Sequence, residues 1–174
     1  MIATLAAWTF ATAICHTLGL AARRMLARLF GTEDDATLPF AIQALLGMAV
    51  ASAFMSVLSF ILPIGKVAVL LLAGAALFAS IAFRGALARD LAERRRHLRE
   101  SAPEARALFI LGLGLILWCA ALPPLWLDTG TYHTPLIRWT EEHPVVPGLA
   151  NLHHNYGFNS HWNLLCAAFG FSFL

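Results

Sequence analysis

Four apolar runs of membrane-spanning length, and a fifth that begins close to the last residue, constrain this chain more than anything else in it. They cover roughly residues 1–22, 39–62, 64–83, 107–122 and, incompletely, 161–174. A bilayer core demands about 20 consecutive apolar residues of a helix, and in lipid only a helix satisfies its own backbone polar groups. With 59% hydrophobic and 13% charged residues, the composition departs from the roughly 45–50% apolar and about 25% charged of soluble domains. The expectation is an all-α, polytopic membrane protein forming a single membrane domain over 1–174. The first run lacks the basic leader of a secretory signal and is expected to stay as a span. Pro63 and Gly65 leave only a tight turn between the second and third runs, and Pro123 and Pro124 close the fourth. The fifth run is too short to cross a bilayer, so the chain is expected to be the N-terminal part of a longer protein.

Charge sets the expected topology. Alternating the spans puts Arg23, Arg24, Arg28 and the seven arginines from Arg84 to Arg106 on one side, leaving Lys66 and Arg138 for the other. By the positive-inside rule the arginine-rich segments 23–38 and 84–106 are cytoplasmic, while the N-terminus and residues 123–160 are exterior, or periplasmic across an inner membrane. The 84–106 segment mixes Asp90, Glu93, Glu100 and Glu104 among its arginines, which predicts a charged helix with i,i+4 ion pairs, set against anionic lipid head groups and not nucleic acid. Cys15, Cys119 and Cys166 read as small buried apolar residues, and Gly74, Gly112 and Gly114 as small residues for close helix packing. Within the complete spans His16 and Gln43 are the strongly polar members, and His16 calls for an interhelical hydrogen bond.

Almost all the unusual polar chemistry lies in 123–160. Asp128, close after the fourth run, is either a helix or turn cap or a carboxylate available as general base or cation ligand. Thr134-Pro135 starts a short helix that must end before Pro144. On it Leu136, Trp139 and His143 share one face, and Arg138, Glu141 and Glu142 another, as in an amphipathic helix lying in an interface. The glutamates are suited to surface pairing with Arg138, whose guanidinium could also bind phosphate. Beyond Pro147-Gly148, Asn151, His153, His154, Asn155, Tyr156, Asn159, His161 and Asn163 set hydrogen-bonding groups beside aromatic faces, a mixture suited to sugars, phosphates or a metal. Adjacent His153 and His154 lack the usual helical metal spacing, so no metal site is assigned, and a divalent cation on Asp128 stays open.

The segment LDTGTYHTPLIRWTEEHPVVPGLANLHHNYGFNSHWN resembles the hallmark of an uncharacterised family of bacterial multi-pass membrane proteins. Its pattern is DTGxYHxxxIxW followed by VxGLxNLHxxxGFNS. The resemblance covers about a quarter of the chain; the first four runs match only as generic apolar spans. That family is in turn similar in layout to the C-type-fold (GT-C) membrane glycosyltransferases, which take sugar from a polyprenyl-phosphate carrier and place an acidic residue shortly before a juxtamembrane helix. Here three additional spans precede that loop, and no second acid stands beside Asp128.

The resemblance implies transfer of a sugar from a polyprenyl phosphate to a cell-envelope acceptor on the exterior face. Asp128 would be the catalytic base, and Tyr132, His133, Arg138, Asn151, His153, Asn159 and His161 would bind substrate. The alternatives are a transporter, or a non-catalytic component of envelope-polysaccharide assembly whose loop binds solute or glycan. Intramembrane ionisable residues would favour transport.

Overall fold

The computed structural model describes residues 2–32, 38–122, 129–157 and 160–171. Helix is the only regular structure among them. In chain order there are seven α-helices: α1 (Ile2–Phe30), α2 (Phe40–Ser59), α3 (Lys66–Ala82), α4 (Arg84–Glu100), α5 (Pro103–Ala121), α6 (Thr134–Glu142) and α7 (His161–Gly170). Three of them, α1, α2 and α5, are long and apolar enough to cross a membrane. By length and composition α3 passes the same test only together with α4, from which it is bent by 89°. At 17 residues, α3 is about 26 Å long, a little short of a bilayer's hydrocarbon core.

The helix ends follow local chemistry. Pro63 and the extended Gly65 separate α2 from α3. The charged segment does not run unbroken to residue 106. It stops at Glu100, because Ala102 precedes Pro103 and is driven to φ −58°, ψ 144°, so that Pro103 opens α5 earlier than the apolar run alone indicates. Within α4 the expected spacing of opposite charges is realised in Asp90–Arg94, Arg96–Glu100 and Glu93–His97.

The core is built on the crossing of α1 with α2. A Cβ on Gly47 would overlap the Cys15 carbonyl, and one on Gly19 the Gln43 carbonyl, so these two glycines let the backbones touch. Gly74, Gly112 and Gly114, which the sequence marks for this duty, have nothing within 4 Å of such a Cβ. The reason at Gly112 and Gly114 is that α5 has no buried residue. Cys119 on α5 is accordingly exposed, contrary to expectation, whereas Cys15 is buried and Cys166 half-buried. Around the crossing pack Ile14, Leu18, Met55, Ile64, Leu72 and Leu165.

Candidate functional site: two cavities on either side of a short helix

Helix α6 is held at one end of α2 by its backbone. Ile64 N–H donates to the Thr140 carbonyl at 2.8 Å, and Val145 N–H donates to the Ser59 carbonyl at 2.8 Å. These bonds fasten α6 and the stretch after it to the end of α2 and the α2–α3 turn, satisfying groups that the helix ends would otherwise leave open. Thr134-Pro135 starts α6, a π-helical turn over Thr129–His133 leads into it, and it ends at Glu142 before Pro144, as its prolines require.

Fixed in this way, α6 is a wall with a cavity on each side. Thr134, Ile137, Arg138 and Glu141, at i, i+3, i+4 and i+7, line a cavity of about 960 Å³ completed by α1, α2 and α7. Its remaining walls are almost wholly apolar, including Trp8, Met48, Leu165 and Phe169. Leu136, Trp139, Thr140 and His143 repeat that spacing on the opposite face and line a second, more polar cavity of about 330 Å³. The division of faces expected for Leu136, Trp139 and His143 against Arg138 and Glu141 is therefore present, while Glu142, expected with the latter two, lines neither cavity. Arg138 also meets Glu142, Nε to Oε1 3.5 Å, with both side chains largely exposed; such a pair contributes only a few tenths of a kcal/mol.

Of the residues singled out in the sequence, Asp128 and Asn159 lie outside the described residues. Arg138 lines the larger cavity. Tyr132 and His133 sit in the π-turn, their rings 4.3 Å apart. Asn151 and His153 are exposed on the segment after Gly148, where His153 stacks on His154 at 4.7 Å and accepts from Asn155 N–H at 3.3 Å. His161 is exposed at the start of α7. The walls of the two cavities thus include Arg138 but none of Tyr132, His133, Asn151, His153 and His161. Among the described residues no three His, Cys, Asp or Glu side chains converge as metal ligands.

At the other end of α2 is a cluster the sequence does not announce. His16 Nε2 lies 2.9 Å from Asp90 Oδ2, and Arg94 grips the same carboxylate with Nε at 2.7 Å and Nη2 at 2.9 Å. Arg94 Nη2 also donates to the Leu38 carbonyl at 3.0 Å. If His16 donates from Nε2, its Nδ1 is left to accept from Gln43 Nε2 at 3.3 Å. Phe40 stacks on the imidazole at 5.1 Å and lies under the Arg94 guanidinium at 5.4 Å. The expected interhelical hydrogen bond of His16 is present, and Asp90, foreseen only as one of the acids in a helix of i,i+4 pairs, is 3% exposed and joins His16. Burial is the largest single influence and works to raise the Asp90 carboxyl, but the bidentate Arg94 guanidinium and the His16 ring together outweigh it and hold the group below the ordinary aspartate range.

This combination defines a helical protein with several apolar, span-length helices and a cavity-bearing end. The family model described as "Domain of unknown function (DUF8201)" matches residues 1–174, and the chain belongs to that family. No curated protein and no solved structure matches it.

Proposed function

We propose that this is a membrane protein, oriented with the α6 end exterior and the α4 end cytoplasmic, that holds a polyprenyl-phosphate-linked sugar and takes part in its transfer to a cell-envelope acceptor. The observation that carries the reading is the larger cavity: a mostly apolar space, one wall of which is a helix that offers one arginine and one carboxylate. An isoprenoid chain suits the apolar walls, at about 25 cal/mol per Å² removed from water. The Arg138 guanidinium suits the phosphate, and Glu141 suits sugar hydroxyls as a hydrogen-bond acceptor. Lipid phosphate then serves as leaving group. In the transfer itself the acceptor oxygen forms a bond to the anomeric carbon as the bond to the phosphate oxygen breaks. Asp128 takes the acceptor's proton, and the phosphate keeps the electron pair.

The opposite charges on the cavity wall make the reading testable. Arg138→Gln should weaken binding of an undecaprenyl-phosphate probe to the full chain in nanodiscs about tenfold, the usual scale for losing one charge-assisted bond. Glu141→Gln, which removes a like charge, should tighten it. Equal affinity in both variants and the parent, or full competition by phosphatidylglycerol, would remove the lipid-phosphate assignment. Sugar transfer is tested separately: Asp128→Asn should abolish envelope-glycan modification in cells while membrane insertion persists.

Transport is the second reading, and the His16–Asp90–Arg94 cluster is the observation in its favour. The geometry favours a clamp instead, since Arg94 already occupies both oxygens of Asp90.

A further inference from the structure

We propose that the smaller cavity, on the far face of α6, is a binding site for one neutral pyranose ring of the acceptor glycan. The inference rests on the sugar-transfer reading for its choice of ligand, while the site itself is argued from its own walls.

The space, about 330 Å³, lies at the lower end of the range for small-ligand sites. Its chemistry is that of an uncharged polyol. Trp139 from α6 and Tyr156 from the segment after Gly148 supply aromatic faces for the apolar side of a sugar ring. Ser59 and Thr140 each donate their hydroxyl hydrogen to a backbone carbonyl, Ser56 at 2.7 Å and Leu136 at 2.9 Å. Their oxygen lone pairs are thereby oriented as acceptors for incoming hydroxyls. Asn163 completes the wall. It is 7% exposed as a residue, and its amide offers donors and an acceptor to a ligand in the cavity.

Charge decides the ligand class. Among the described residues the walls carry no Arg, Lys, Asp or Glu, and one imidazole, that of His143. A phosphate or uronate would be desolvated there without a fixed countercharge, whereas a neutral ring exchanges water for protein hydrogen bonds. Position separates this ring from the lipid-borne sugar. Arg138 and Trp139 are neighbours in sequence but face opposite cavities, so donor and acceptor would approach α6 from its two sides.

The test is saturation-transfer NMR on the full chain in nanodiscs free of glycoside detergent, with methyl hexopyranosides (glucose, galactose, mannose) and glucuronate as probes. At least one neutral hexoside should receive saturation and glucuronate none. Trp139→Ala and Asn163→Leu should each reduce the transfer at least fivefold while the helical circular dichroism is kept; if Asn163→Leu does not fold, Trp139→Ala decides. Arg138→Gln, and saturation with undecaprenyl phosphate, should leave the transfer unchanged. No transfer from any hexoside, equal transfer from glucuronate, or transfer indifferent to Trp139→Ala overturns the site. Displacement by undecaprenyl phosphate overturns the acceptor assignment. A hexoside signal with no lipid-phosphate binding leaves this site standing and removes the donor reading alone.

Discussion

His16 and Asp90, 74 positions apart, meet through a 2.9 Å contact in which both side chains are almost fully enclosed. This joins α1 to the charged helix α4, and the Arg94–Leu38 bond joins α4 to the start of α2. The helix that composition marks as solvated is therefore fastened to the bundle by its one buried carboxylate.

Removing that carboxylate should loosen the α4 end. Asp90→Ala leaves Arg94 and His16 without their shared partner, and breaking a fully buried pair costs about 3–5 kcal/mol. Arg94 keeps 22% exposure of its side chain, so a loss of about 2 kcal/mol is expected. Thermal melting of the detergent-solubilised protein, read by circular dichroism, checks it. Melting unchanged from the parent would show that the cluster contributes nothing.

The same carboxylate predicts an acid limb. Asp90 is held below its ordinary value in the folded protein, so its stabilisation is fully present above the unfolded value of about 3.9 and is lost as pH falls through the lower folded value. Melting temperature should be flat for this group from pH 7 to about 4 and fall below that. In Asp90→Asn the fall should be shallower, and parallel curves would contradict the linkage.

The α1–α2 crossing predicts unequal glycines. Gly47→Ala should cost about 1–3 kcal/mol, because the Cβ meets the Cys15 backbone and not a movable side chain. Gly74→Ala, with open space around it, should be neutral or slightly stabilising. Comparable losses at both positions would mean that the crossing is not the close contact described.

Orientation is open to direct labelling. In a cysteine-free background, Glu142→Cys should react with an impermeant maleimide in intact cells, or after outer-membrane opening. Arg96→Cys should react only once the inner membrane is permeabilised. Both parent side chains are well exposed, so reactivity reports the side of the membrane. The reverse pattern would invert the proposed topology and remove an exterior reaction.

Much of the candidate site was legible because its determinants are local. Thr134-Pro135 and Pro144 bound α6, and a 3.6-residue period divides Arg138 and Glu141 from Leu136, Trp139 and His143. What the period cannot supply is which neighbours complete each face. Ser59, on another helix, and Asn163, at the start of α7, join the smaller cavity only because the Ile64–Thr140 and Val145–Ser59 bonds dock α6 on the α2–α3 turn. Conversely, the histidine-rich segment drew notice by composition, yet His153 spends its contacts on His154, Asn155 and Tyr156.

By itself the sequence determined that the chain is helical, where most helices begin and end, and which side of α6 is charged. Those properties depend on hydropathy over about 20 residues and on proline's missing N–H, both written into consecutive positions. Only the tertiary structure decided that Gly19 and Gly47 form the close crossing, that Asp90 leaves the solvated face to bind His16, and that α5 packs on nothing among the described residues to bury any of its own. The first two are pairings across tens of residues and the third is the lack of one among the described residues; all are settled by which surfaces can share one enclosed space, and no local pattern encodes that.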